Sequence, residues 1–274
     1  GFEPLLKLDA AARESDRLTG PFAALWFALF IIPFFLFVPD KRRTSAPLHT
    51  ERPATQELWD TIKTLPAMPS LMLFLIARMI YTDGLTAIFT FGGIYGASVF
   101  AWGPLELGIF GIVLTLIGAF GALIGGRLDD KLGPKTVIIG ALMILLIASI
   151  GILSVDRTHI FFVQDVLPKA DGSQPFSSTG ELVFLGFAMI VGLVAAPIQA
   201  ASRSLLARLA PADKITQFFG LFAFSGKVTA FLAPFVVASV TAMTNQRIGI
   251  ASVLVFLVIG AVLMLFVRTS ERSR

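Results

Sequence analysis

The sequence predicts an all-α polytopic membrane protein with seven transmembrane helices. Three observations lead there. Apolar residues make up 55% of the 274-residue chain and charged residues only 15%, more hydrophobic surface than a soluble chain of this size hides. The apolar residues fall into seven runs of roughly 20 residues, the length that crosses a hydrocarbon core of ~30 Å. Between the third and fourth runs lies a dense charged turn, residues 126–135, which is costly at membrane depth unless it sits in water or is paired.

The predicted spans are residues 21–38, 71–99, 107–125, 136–155, 182–201, 218–241 and 249–267. The first carries Pro33, tolerable because neighbouring helices or water can re-satisfy the freed carbonyl. Residues 39–70 form the longest polar stretch. Within it Leu58, Trp59, Ile62 and Leu65 recur at helical spacing, which predicts a short amphipathic surface helix. Residues 156–181, rich in proline, glycine and serine, read as a loop. The organisation expected is therefore residues 1–38 as an outer segment and a helix, 39–70 as a linker, and 71–274 as a six-helix unit. The chain opens on Gly1 without a basic-then-apolar leader, which reads as a fragment of a longer coding sequence and not as a signal peptide.

Orientation follows from the basic residues in the connections. Lys41, Arg42, Arg43, Arg52, Lys63, Arg127, Lys131, Lys135, Arg203, Arg208, Lys214, Arg268, Arg272 and Arg274 fall on one side, fourteen in all. The opposite side holds six: Lys7, Arg13, Arg17, Arg157, Lys169 and Arg247. Because basic loops stay cytoplasmic, the C-terminus is expected inside. The net charge of +4 reflects these loops and not a nucleic-acid footprint. With no cysteine, disulfides and thiolate catalysis are excluded. No phosphate loop, zinc spacing or Ser/His/Asp constellation appears, and His49 and His159 lie in separate predicted loops, so neither an enzyme, a cofactor nor a metal is expected.

Ionisable residues inside spans are candidates for function by default, because an unpaired buried charge costs several kcal/mol. In the second span Arg78, Tyr81 and Thr82 share a face at i, i+3, i+4 spacing. Asp83, Thr86 and Thr90 form another stripe, and at about 100° per residue Arg78 and Asp83 stand roughly 140° apart, too far to pair along a regular helix. Asp83 is read either as a proton acceptor or as a structural acid satisfied locally. Lys227 lies about 14 Å into its span at 1.5 Å per residue, too deep to snorkel with ease. It calls for a carboxylate, an anionic substrate group or a wet cavity, and an interaction with Asp83 is expected. Gln199, Ser202 and Arg203 make one polar face at the cytoplasmic mouth of the fifth span, with Arg203 as gate, anion contact or interfacial anchor. Gly108, Gly111, Gly118, Gly121 and Gly125 read as positions of close helix packing.

The charged turn, through Gly126, Leu128, Asp130, Lys131, Gly133 and Lys135, resembles the loop signature of the major facilitator superfamily. Together with Ala77-Arg78-Met79, Asp83-Gly84, Phe91-Gly92-Gly93-Ile94-Tyr95, Gln199 to Arg208, Phe218-Phe219-Gly220, Ser225-Gly226-Lys227 and Pro234, it resembles the bacterial branch of that superfamily's autophagy-related vacuole effluxer family. The resemblance covers nearly all of the chain but only the C-terminal half of a typical member. It implies helices six to twelve of a major facilitator fold, with the missing N-terminal half as partner, in a bacterial inner membrane. It further implies a secondary active transporter of small solutes, amino acids among them, working by alternating access with proton coupling as a hypothesis. Arg78, Tyr81, Asp83, Gln199 and Lys227 would line the pathway. Gly126, Asp130, Lys131, Gly133, Lys135 and Arg203 would form the gate, with Gly126 permitting close helix approach and Asp130 closing the inward side. A receptor that binds ligand without net flux also fits seven helices.

Overall fold

A computed structural model describes residues 14–37, 54–169 and 174–269 of the chain. The remaining positions, among them the basic run Lys41 to Arg43, His49 and most of the linker, lie outside the described residues. Among the described residues seven helices are long and apolar enough to cross a membrane, the number read from the sequence. The chain divides into two compact units at residues 52 and 53.

The first unit contributes α1, Glu14–Phe37, apolar over Arg17–Phe37. Phe22, Trp26 and Phe30, spaced by four, form a ladder of ring contacts along one face.

The second unit starts with α2, Ala54–Thr64, the predicted surface helix; Trp59 is exposed while Ile62 and Leu65 pack on the core. Five spans follow as α3 (Pro69–Phe100), α4 (Pro104–Leu132), α5 (Pro134–Leu153), α6 (Thr179–Leu209) and a broken span made of α7 (Ile215–Val228) and α8 (Leu232–Met243). The last span is kinked at Ser252 into α9 (Gln246–Ala251) and α10 (Val253–Phe266). Helices α3, α4 and α5 each open on a proline in the first turn, where the absent N–H would have had no partner. Gly133 joins α4 to α5 at φ +80°, a left-handed conformation that costs a side chain but not glycine.

Helix pairs α4 with α6, α5 with α6 and α3 with α10 make the most extensive contacts. Helix α4 seats on α6 through glycines. Pro197 has no N–H, so the Leu193 carbonyl one turn earlier loses its helical donor. Gly121 packs onto that carbonyl so closely that a Cβ there would overlap it, and a Cβ on Gly125 would stand 2.7 Å from the Pro197 ring. Gly108, Gly111 and Gly126, by contrast, meet nothing within 4 Å. Close approach therefore belongs to Gly121 and Gly125 and not to Gly126, to which the motif resemblance assigns it. Gly126 is one residue, about 100°, further round the helix than Gly125 and points away from α6.

The span expected as one helix over 218–241 breaks at residues 229–231. Pro234 sits in the first turn of α8, where its ring is accommodated, and it cannot continue α7 through the Ala230 carbonyl.

The loop expected at 156–181 contains a two-stranded antiparallel hairpin, His159–Ile160 against Gln164–Asp165. Beneath it Glu181, fully buried, accepts from Trp102 Nε1 at 2.8 Å and Lys169 Nζ at 3.0 Å, and completes a capping box with Ser178 at the start of α6. Lys169 also reaches Glu106 at 3.6 Å. Phe100, Trp102, Phe110, Phe176 and Phe184 close over this network in a continuous aromatic cluster.

A second network fastens the hairpin itself. Burial pushes the Asp156 carboxylate up, but the backbone N–H groups of Thr158 and His159 and the His159 ring more than offset this, so it titrates below its ordinary value. Arg247 reaches it from the start of α9 at 3.6 Å, and His159 Nε2 meets Asp165 at 3.1 Å. A depressed acid contributes stability above the unfolded value of ~3.9 and loses it as pH falls through the folded value. The difference in melting temperature between wild type and Asp156→Asn is accordingly expected to be full at pH 6 and to shrink toward pH 3. A pH-independent difference would contradict this assignment.

Candidate functional site

Helices α3 and α6 carry the polar residues that meet inside the unit. Tyr81, 1% exposed, is held by Ser202 at 2.7 Å. Ser202 spends its own proton on the Ile198 carbonyl one turn back, so Tyr81 is the donor in the pair. A Cβ on Gly260 would come within 2.6 Å of Tyr81 Cβ, and this glycine lets α10 press α3 into place. Arg78, one turn below Tyr81, reaches across to α7. Its NH1 donates to the Phe222 carbonyl at 2.6 Å and to Ser225 Oγ at 3.3 Å, and the guanidinium stacks 3.4 Å over the Phe222 ring.

Arg78, Tyr81, Thr82, Leu85, Ile198, Gln199, Ser202, Arg203 and Phe222 together enclose a cleft of about 40 Å³. Three of its walls, Thr82, Leu85 and Gln199, are shared with a wider groove of about 380 Å³ that continues past Thr86, Phe89 and Thr90. The two form one polar path along α3 and α6. Eight residues singled out from the sequence, Arg78, Tyr81, Thr82, Thr86, Thr90, Gln199, Ser202 and Arg203, line it.

Asp83 lies off this path. It is buried while Thr86 and Thr90 of the same stripe are exposed. Asp83 Oδ1 and Thr229 Oγ1, the latter in the break, are both buried without a hydrogen-bond partner. Among the described residues no ion pair joins Asp83 to Lys227, against the expectation from the sequence. Lys227 falls in the last turn of α7 with its side chain exposed, a position where an ammonium complements the helix dipole. The break places Lys227 at a helix end while leaving it midway along the span Ala212–Met243.

The charged turn divides as well. Lys135 Nζ donates to the carbonyls of Leu265 at 2.9 Å and Val267 at 2.7 Å, capping the end of α10 and tying it to the first turn of α5. Gly133 supplies the turn. Asp130 and Lys131 are exposed, whereas the neighbouring Asp129 holds a buried Oδ1 without a partner. The acid turned inward is thus Asp129, a residue the motif spacing does not single out. Phe222, Ser225 and Thr229 were also invisible as partners, because their roles depend on where α7 stops. Among the described residues no cluster of three or more metal-ligating side chains occurs.

Comparison with known proteins agrees with this architecture. Residues 9–274 match the family described as vacuole effluxer Atg22 like. The chain is 26% identical over 263 residues to the uncharacterized MFS-type transporter YxiO of Bacillus subtilis, covering 96% of this chain and 55% of that protein. It is 27% identical over 255 residues to autophagy-related protein 22 of Cryptococcus neoformans, covering 89% of this chain and 45% of the relative. The chain thus spans about half the length of the curated relatives it matches. Its backbone resembles the inward-open xylose transporter XylE from E. coli with a TM-score of 0.58 at 15% identity, over 74% of this chain and 48% of that one. A D-xylose-proton symporter gives 0.55 at 16% identity, with the same coverage. The chain is a multi-pass membrane protein with the major facilitator fold, and it belongs to the Atg22-like vacuole effluxer family.

Proposed function

We propose that this chain works as one bundle of a secondary transporter that moves small solutes out of the cytoplasm, amino acids being the first to test. The observation that carries the reading is the polar path from Arg78 to Thr90, built on a bundle of membrane-spanning helices. The family description and the major facilitator fold support a transporter rather than an enzyme or a sensor. Alternating access needs a second six-helix bundle facing this path, supplied by a longer form of the chain or by another copy. The Bacillus relative supports a bacterial cell-membrane setting, and the excess of basic residues on one side supports a cytoplasmic charged turn and C-terminus. In that orientation Gly126, Asp130, Lys131, Gly133, Lys135 and Arg203 stand at the inner gate, where the Lys135 brace ties α5 to α10.

Asp83 serves as the proton-exchanging group. It is a buried acid within a span with no ion-pair partner among the described residues, and an intramembrane acid so placed is a candidate proton carrier. Vesicles loaded with an amino-acid mixture test both parts. Wild type is expected to release solute faster than empty vesicles and to respond to an imposed pH gradient. Gln199→Trp, which fills the groove, should abolish release. Asp83→Asn should keep exchange at equal pH and lose the response to the gradient. Binding without release would favour a receptor, and release indifferent to the gradient in wild type would remove the coupling role.

A further inference from the structure

We propose that the solute is recognised by an anionic group, a carboxylate in the simplest case, seated between Arg78 and Arg203; the proposal rests on the pathway reading above. Both arginines line the same small cleft and are close enough for their like charges to act on each other. The partners of Arg78 are a carbonyl, a hydroxyl and an aromatic face, all neutral, and among the described residues no ion pair engages either arginine. Asp83, the acid nearest in sequence, does not line this cleft. Two cations without an ion-pair partner, lining one cleft at the inner mouth of the path, repel each other and favour an anion between them. NH1 of Arg78 is taken up by Phe222 and Ser225, which fixes the guanidinium and leaves NH2 and Nε as donors of a rigid fork, the geometry that takes a carboxylate in bidentate fashion.

Size points the same way. A cleft of about 40 Å³ holds one polar head group, a water's share of liquid being ~30 Å³. The tail of the solute then lies in the adjoining groove of about 380 Å³, against Leu85, Phe89 and the hydroxyls of Thr82, Thr86 and Thr90. This lining is half apolar and carries no charge, so a short aliphatic or mildly polar tail fits and a second anionic group does not.

Valerate and valeramide share a shape and differ in charge, which makes them the probe. Melting of the purified full chain in detergent, followed at matched ionic strength, is expected to rise with valerate and not with valeramide. Arg203→Gln, a change at an exposed side chain, should raise the half-saturating concentration by about tenfold or more, equivalent to ~1.4 kcal/mol. Arg78→Lys, which keeps the charge and loses the fork, should weaken it as well, whereas Arg157→Gln at the far end of the bundle should leave it unchanged. Equal effects of valerate and valeramide, including no effect of either, would overturn the proposal, as would full retention in Arg203→Gln. Because melting reads binding alone, protection by valerate without solute release would sink the transport reading and keep this one. Release inhibited equally by amide and acid would do the reverse.

Discussion

Glu181→Gln is expected to lower the stability of the chain in detergent by about 3 kcal/mol, the lower end of the range for breaking a buried charge pair. Glu181 is fully buried and joins three segments at once: the α3–α4 turn through Trp102, the loop after the hairpin through Lys169, and the start of α6 through Ser178. A glutamine still accepts from the Trp102 indole, but it leaves the Lys169 ammonium with only Glu106 at 3.6 Å. Lys169 keeps 20% of its side chain exposed, so it recovers part of its hydration, which places the cost at the lower end. A double-mutant cycle separates the ion pair from the rest. Glu181→Gln combined with Lys169→Met should be less destabilised than the sum of the singles by more than ~1 kcal/mol. Additive losses would mean the pair contributes nothing beyond its separate contacts.

Gly121→Val should cost about as much, near 3 kcal/mol, the upper end for overpacking. The atom in the way is the Leu193 carbonyl, part of the backbone and unable to swing aside as a side chain can. To admit valine, α4 must move away from α6 along its length, giving up the contacts of Gly118 with Gly192 and of Gly125 with Pro197. Gly126→Val is the internal control. Nothing stands within 4 Å of that site, so a change within ~0.5 kcal/mol is expected, as for surface substitutions away from special features. Similar losses at both positions would contradict the packing described.

The seven spans were legible because a membrane enforces length and apolarity on every crossing helix, and these show directly in composition. The polar face of Arg78, Tyr81 and Thr82 was legible because helical periodicity places side chains without knowledge of the neighbours. The fate of Lys227 was not. Whether it reaches Asp83 depends on where α7 ends, and Pro234 alone gives no measure of how much helix it interrupts. The Glu181 network was hidden for a similar reason. Its residues lie in three segments with turn-forming composition between them, and only the fold brings Trp102, Lys169 and Glu106 to one carboxylate. Asp129 and Asp130 are adjacent acids, and which of them turns inward is decided by the rotation of α4 on α6 through its glycines.

The central claim is that the path along α3 and α6 is a water-filled route opened alternately to the two sides of a membrane. The absence of native cysteine makes a single introduced thiol a clean reporter. With Gln199→Cys in sealed vesicles, a membrane-impermeant maleimide is expected to label the protein from either side, at rates that shift in opposite directions when solute is added. Leu116→Cys on the exposed face of α4 should remain unreactive from both sides. If Gln199→Cys proves as inert as Leu116→Cys, or reacts from one side only and at the same rate with and without solute, the path is not a transport route.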